Sequence, residues 1–156
     1  MHRLALQLVL LSFAGGCGAA MIPNTDVEDS PENRAVIDFL EQYRHAVEER
    51  DVGKLLHLAS HEYFDDNGTP SGDDDVDYDG LAHKLALWPS RLLTVRYEIR
   101  YRRITFRDNG RIYVELQYTS NFRYATPDGG RWERRLADNR MILEHDGGTF
   151  RIRRGM

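Results

Sequence analysis

The feature that most constrains the fold of this chain is a change in hydrophobic period at about residue 92. Before it, apolar residues recur every three to four positions, as in "VIDFLEQYRHAV" (36–47), which is typical of amphipathic helices. After it, they alternate, as in "RIYVELQYTSNFRY" (111–124), which is typical of half-buried strands. Helices that precede the strands, instead of alternating with them, predict an α+β fold with separate helical and sheet layers.

Three helices are predicted in the first part of the chain. Ser30 and Pro31 form a helix start, because Ser caps free backbone N–H groups and Pro has no N–H to leave unpaired. Asp51 can cap a second helix, and Pro89 is predicted to stop a third. The apolar stripe of the first helix consists of Val36, Leu40, Tyr43 and Val47, and the third helix is marked by Leu81, Leu85 and Trp88.

Four antiparallel strands joined by short hairpins are predicted after residue 92. The turn sequences are "DNG" (108–110), "TPDGG" (126–130) and "DGG" (146–148). The strand around 111–124 has the clearest alternation, with Val114, Leu116 and Tyr118 on one face. We expect this face to pack against the apolar stripe of the first helix, because each needs a partner to leave water.

The order of these elements resembles the nuclear transport factor 2-like fold, which also includes the SnoaL-like polyketide cyclases and ketosteroid isomerase. The resemblance lies in a long helix with "FLEQYRHAVEERDVGKLL" (39–56), a loop with "YFDDNG" (63–68), and a long hairpin sheet. It covers residues 31–156 and implies a cone-shaped half-barrel, with N-terminal helices on a curved antiparallel sheet of four or more strands. It implies no particular activity, because this fold carries enzymes, binding modules and dimer platforms alike.

The first 16 residues have the form of a signal peptide. The apolar run from Leu4 to Ala14 is too short for a membrane span, which takes about 20 residues, but it suits a secretory signal. The sequence "GGC" that ends at Cys17 resembles a bacterial lipoprotein signal, in which the cysteine is acylated. Plain cleavage and a retained N-terminal anchor are the alternatives.

Lipidation of Cys17 would attach the chain to a bilayer, with residues 17–30 as a flexible tether. Gly18, and not Asp, follows the cysteine, and resemblance to Gram-negative sorting then favours the outer membrane. We therefore expect an exported protein of the cell envelope.

The charge of the chain is unevenly placed, and this bears on its partners. Residues 24–80 carry 17 acidic and 4 basic side chains, whereas residues 81–156 carry 16 basic and 8 acidic ones. The arginines alternate along strands and do not form one block, and an exported protein meets little nucleic acid. We therefore expect an acidic helical layer on a sheet with a basic outer face, and no binding of nucleic acid.

The sequence "DDDVDYDG" (73–80) places Asp75, Asp77, Asp79 and Gly80 at the spacing that opens an EF-hand loop. The twelfth position, where a bidentate Glu belongs, is Ala86. We therefore predict an acidic loop and a helix cap at Asp77 or Asp79, with these aspartates only weak candidates for a metal.

A histidine pair is the other weak metal candidate. His57 and His61 lie four residues apart, a spacing that can share a metal, but no third ligand is placed by sequence. We therefore predict exposed helix polar groups here, and neither a metal nor another cofactor.

The candidate pocket lies between the helices and the sheet. In the isomerase and epoxide-hydrolase branches of the fold, strand carboxylates that face the cone perform acid–base chemistry, and by that resemblance Asp138 could act as base or ligand clamp. Ala137, Met141 and Leu143 argue instead that Asn139 faces inward. The candidate pocket residues are Tyr43, Tyr97, Tyr118, Asp138 and Arg140.

Two functions follow as hypotheses. The first is a non-catalytic membrane-anchored domain that binds a small apolar ligand or a protein partner. The alternative is an enzyme of the SnoaL or ketosteroid isomerase type that uses a carboxylate facing the cone. A homodimer that buries the outer sheet face, with Tyr113, Gln117 and Asn121, is a third interpretation.

Overall fold

A computed structural model of the chain describes residues 19–156, so that the predicted signal peptide and Cys17 lie outside the described residues. The predicted α+β architecture is confirmed, with helices on one face of a four-stranded antiparallel sheet that does not close into a barrel. The helices are α1 (Pro31–Glu49), α2 (Val52–Leu58), α3 (Tyr78–Ala86) and the single turn α4 (Trp88–Arg91). The strands are β1 (Phe64–Asp65), β2 (Val76–Asp77), β3 (Leu92–Phe106), β4 (Arg111–Tyr124), β5 (Arg131–Asp146) and β6 (Thr149–Arg154).

The predicted helix starts are confirmed by their caps. The Ser30 side chain accepts a hydrogen bond from the backbone N–H of Asn33 at 3.1 Å and begins α1. Asp51 and Asp77 cap α2 and α3 in the same way, at 2.9 and 2.8 Å. The prediction that Pro89 stops the third helix is wrong. α3 already ends at Ala86, and Pro89 occupies the first turn of α4, where its missing N–H costs nothing.

The main sheet has the strand order β3-β4-β5-β6, and β1 and β2 form a separate two-stranded ribbon that the sequence did not indicate. We call the sheet face that carries Val114 and Leu116 the inner face, because α1 packs on it, and the opposite one the outer face. The alternation predicted for β4 is confirmed, since Ile112, Val114 and Leu116 are almost fully buried while Arg111, Tyr113 and Glu115 are not. The buried stripe of α1 is also the predicted one: Val36, Leu40, Tyr43 and Val47.

The segment before α1 is packed, so that the prediction of a flexible tether over 17–30 is wrong for its second half. Met21 pairs with Glu28 in an isolated β-bridge, and Ile22 and Val27 are buried in the core. The backbone N–H of Asp26 donates to the Tyr101 carbonyl on β3 at 3.0 Å. Apolar residues in a short turn-rich segment carry no period, which is why pattern reasoning missed this packing.

An ion network fixes the end of α2 to the sheet. The Ser60 hydroxyl donates to the Glu144 carboxylate at 2.5 Å, and Arg153 donates to the same group at 3.1 Å, with Arg111 as a further donor. Burial alone would raise the pKa of Glu144, but these three hydrogen bonds outweigh it and lower the pKa below its usual value.

Candidate functional site

A row of tyrosines crosses the space between α1 and the sheet. Tyr43 on α1 and Tyr97 on β3 meet edge to face, with ring centroids 6.1 Å apart, and Tyr97 stacks on Tyr118 of β4 at 5.3 Å. The guanidinium of Arg135 on β5 lies over the ring of Tyr118, 5.9 Å from its centroid. The row therefore leads from the core to a cationic group at the surface.

The phenols of Tyr43 and Tyr97 are neutral hydrogen-bonding groups and not bases. The pKa of Tyr43 lies well above its usual value, mainly because the side chain is buried and secondly because of the neighbouring Tyr97 phenol. The pKa of Tyr97 is also raised, again mainly by burial and secondly by the neighbouring Tyr118 phenol. Neither phenol loses its proton at neutral pH, so neither can act as a general base.

A groove of about 880 Å³ lies at the outer end of the row and continues around the edge of β5. Residues of both sheet faces line it, and because successive side chains of a strand point to opposite faces, they form two separate walls. The wall on the inner face includes Asp65, Leu116, Tyr118, Arg135, Asn139 and Met156. The wall on the outer face includes Tyr113, Glu115, Asp138 and Arg140.

Asp65 is the carboxylate of the inner wall, and its oxygens are occupied. One accepts the backbone N–H of Gly155 at 3.0 Å and lies 3.4 Å from the Tyr63 hydroxyl. The other accepts the backbone N–H of Asn67 at 3.0 Å and faces Arg154 at 3.4 Å. Asp65 therefore holds the C-terminal segment against the loop after β1.

The structure brings together three of the five candidate pocket residues. Tyr43, Tyr97 and Tyr118 share the row on the inner face, whereas Asp138 and Arg140 lie on the outer face. Gln117 donates to Asp138 at 3.1 Å, and Arg140 pairs with Glu115 at 3.3 Å.

The reason for this placement is the phase of β5, in which the buried Met141 and Leu143 share a face with Asn139. The amide of Asn139 donates to the Gly155 carbonyl at 2.8 Å. Asp138 therefore lies on the outer face and offers no carboxylate to the tyrosine row.

Sequence reasoning missed two residues of the inner face. Arg135 has the same parity as Asn139 but was not singled out, because arginines recur throughout the strands. Ser120 pairs in register with both Tyr97 and Arg135, and it is fully buried. Its hydroxyl has no hydrogen-bond partner among residues 19–156, a cost that alternation along a strand cannot reveal.

The metal candidates do not form a cluster in the described part of the chain, which contains no group of three His, Cys, Asp or Glu side chains able to hold an ion. Asp77 is committed to the cap of α3, and Asp75 closes a short 3₁₀ turn (Gly72–Asp74). The ring of His61 packs on Tyr78, with centroids 4.9 Å apart, while His57 lies in the last turn of α2.

Comparison with known proteins gives the fold. The sequence matches no protein-family model and no curated protein. A protein from Novosphingobium aromaticivorans that carries the provisional name scytalone dehydratase superposes with a TM-score of 0.69 at 12% identity, over 80% of each chain. A hexachlorocyclohexane dehydrochlorinase of type 2 gives 0.62 at 14% identity, over 80% of this chain and 82% of its own.

A third similar structure is the beta subunit of a provisionally named aromatic-ring-hydroxylating dioxygenase, again from Novosphingobium aromaticivorans. Its TM-score is 0.59 at 21% identity, over 80% of this chain and 86% of that one. Identities this low carry the architecture and no activity. This chain has the nuclear transport factor 2-like fold.

Proposed function

We propose that this chain is a membrane-attached, exported protein whose domain binds a small, flat, largely apolar ligand at the groove, without catalysing a reaction. The observation that carries the proposal is that the tyrosine row ends in the inner wall of the groove at Tyr118, with the guanidinium of Arg135 over its ring. Tyr118 would supply the aromatic surface of such a site, and the polar groups around it would set the orientation of the ligand.

The polar groups of the inner wall suit a ligand with one anionic or hydrogen-bonding atom. Arg135 makes no ion pair with any residue of the described chain, so that its guanidinium is available to an anion. The buried Ser120 hydroxyl, its cross-strand neighbour, also lacks a partner there. A planar ring beside Tyr118 would place a polar substituent close to Arg135, whereas Ser120 lies behind the wall and does not line the groove.

The two carboxylates Glu41 and Asp65, which lie toward the inner face, favour binding over acid–base catalysis. Glu41 accepts hydrogen bonds from the Tyr101 hydroxyl at 2.8 Å and from Arg44 at 2.7 Å. Asp65 is held by Gly155 and Arg154, as described above. A general base needs a carboxylate that is free to reach its substrate, and both of these have structural partners instead.

The test of ligand binding uses anilinonaphthalene sulfonate, a planar aromatic anion whose fluorescence rises in apolar sites. Tyr118→Ala should weaken its binding about tenfold, because an aromatic contact of about 1.5 kcal/mol corresponds to that factor. The matched control is Tyr113→Ala, which removes the same side chain from the outer wall of the groove, where Arg107 lies over the ring at 5.7 Å. The proposed ligand lies against the inner wall, so the two variants distinguish the walls. Equal losses in the two variants, or no binding by the unchanged protein, would refute the proposal.

The second candidate function is an enzyme that uses Asp65 as the cone-facing carboxylate. It is favoured by the position of Asp65 in the inner wall and by fold neighbours that carry the names of a dehydratase and a dehydrochlorinase. Asp65→Asn distinguishes the two, since it retains the shape of the wall and removes the charge. Turnover that this change abolishes, at unchanged dye affinity, would establish the enzyme.

Membrane attachment through Cys17 is the other part of the proposal. The packed domain begins at Met21, four residues after the cysteine, and a chain of that length reaches about 14 Å. A lipid on Cys17 would therefore hold the domain close to the bilayer surface, in the outer membrane if the sorting resemblance is followed.

Membrane attachment is tested by expressing the full chain in a Gram-negative host. The protein should enter the detergent phase and carry acyl mass at its N-terminus, and the Cys17→Ser variant should do neither. A Cys17→Ser protein that is processed and retained at the membrane like the unchanged chain would contradict lipidation.

A further inference from the structure

One side of β5 is an open edge over most of its length. β6 pairs with β5 only from Ile142 to Asp146, whereas β5 begins at Arg131. The hairpin arm that it forms with β4 therefore extends beyond the end of β6. Open edges present unpaired backbone groups and can pair with another strand.

The orientation of the backbone shows which residues face this edge. The N–H of Tyr97 points away from β4 and bonds to Glu48 at 3.0 Å. Its partner Ser120 must then turn its N–H and C=O toward Arg135 on β5, because antiparallel pairs alternate. Odd-numbered residues of this arm therefore bond to β4, and the even-numbered ones face the open edge: Trp132, Arg134, Leu136 and Asp138.

The side chains along the edge are unusual for a strand in water. Trp132 is 56% exposed and Leu136 is 60% exposed, both on the outer face. Exposed edges are ordinarily protected by a bulge, a proline or a cover, but the pairing of β4 with β5 is regular throughout this arm. Charged residues separate the two apolar ones, with Arg134 between them and Asp138 beyond.

We propose that the open edge of β5 pairs antiparallel with the same edge of a second copy of this chain, about a two-fold axis at Leu136. In this register each Arg134 lies opposite Asp138 of the other copy, and Leu136 meets Leu136. Three backbone pairs would exchange about six hydrogen bonds and join the two sheets into one. The inference concerns the backbone edge of β5, which meets the outer wall of the groove at Asp138, and it does not rest on the proposed function.

Charge selects this register among the alternatives. A two-fold axis at Arg134 or at Asp138 would place like charges directly opposite each other, which is destabilising. An axis at Arg135 would do the same with two guanidiniums on the inner face. A register centred on Trp132 would also pair Arg131 with Glu133 of the other copy, but β5 begins at Arg131, so only the end of the strand could pair. Among the registers that engage the middle of the open edge, only the one centred on Leu136 gives two opposite-charge pairs and an apolar contact at its centre.

The first experiment traps the register with a disulfide, in the full chain with Cys17→Ser so that no native thiol remains. In a hydrogen-bonded pair the two Cα atoms of residue 136 would lie about 5.5 Å apart, within disulfide range. Mild oxidation of Leu136→Cys should therefore give a covalent dimer. The matched control, Trp132→Cys, is equally exposed but would lie about 27 Å from its counterpart, eight residues along the strands. Dimers formed equally by both variants, or by neither, would overturn the proposal.

The second experiment reverses charges and follows the dimer dissociation constant by sedimentation across a dilution series. Arg134→Asp should raise the constant at least about tenfold, since two attractive pairs become repulsive at once. Asp138→Arg should do the same, and the double variant should restore association. A protein that is monomeric throughout, or a dimer indifferent to both reversals, would rule out this edge pairing. The dye test at Tyr118 is a separate measurement, because Tyr118 is on the inner face of the sheet while Arg134 and Asp138 are on the outer face.

Discussion

Replacing Leu116 by Ala tests the central packing of the domain. Leu116 is 1% exposed on the inner face of β4, where it lies between Tyr101 and Asn139 in register. Burying a leucine side chain contributes about 1.5–3 kcal/mol, and the cavity left behind adds to the loss. Because neighbouring strands on both sides hold the site open, we expect the free energy of unfolding to fall by about 3–4 kcal/mol.

Urea denaturation measures this loss, with Leu136→Ala as a control of identical chemistry. Leu136 is on the neighbouring strand but on the outer face, so its truncation should cost within about 0.5 kcal/mol in dilute, monomeric protein. With a slope of about 2 kcal/mol per M, Leu116→Ala should lower the midpoint by about 1.5–2 M. Equal midpoints for the two variants would show that the inner and outer faces of the sheet are wrongly assigned.

Three further predictions concern the ion network, the acidic loop and the N-terminal segment. The folded-state pKa of Glu144 lies below the ordinary 4.5, so its contribution to the stability of the fold is present above that pH and is lost in acid. Glu144→Gln should therefore be less stable than the unchanged protein at pH 7, and the difference in melting temperature between the two should shrink below about pH 4. Asp77→Ala should cost about 1 kcal/mol in urea by uncapping α3, and calorimetry of the unchanged protein should show no calcium binding tighter than about 10⁻⁴ M. Val27→Ala should cost about 2 kcal/mol, whereas Asp26→Ala, which removes only exposed ion pairs to Arg100 and Arg102, should move the urea midpoint far less.

Helix caps and strand alternation depend on residues close together in the chain, so both could be predicted from the sequence. Ser30, Asp51 and Asp77 cap the helices because their side chains bond to N–H groups three residues ahead, within the reach of one turn. The faces of β4 followed from alternation, because side-chain direction in a strand depends only on parity. The same rule indicated that Asn139 faces inward on β5, and the structure agrees. Resemblance to enzymes of this fold had instead suggested an inward-facing Asp138.

The parts that the sequence left open depend on contacts between distant residues. Packing of residues 21–29 against β3 joins positions about 75 apart, and no period within the segment announces it. The stacking of Arg135 on Tyr118 likewise required the register between β4 and β5.

The sequence was enough to predict the three main helices, the four long strands, their order in layers and the buried faces of α1 and β4, because hydrophobic period and capping act over a few residues. Only the tertiary structure decided which polar groups meet. It placed Asp65 against the C-terminal segment, aligned three tyrosines from three elements, and left the even-numbered edge of β5 open. Strand register and the point at which β6 ends set these contacts, and both are properties of how the strands pair and not of any single strand.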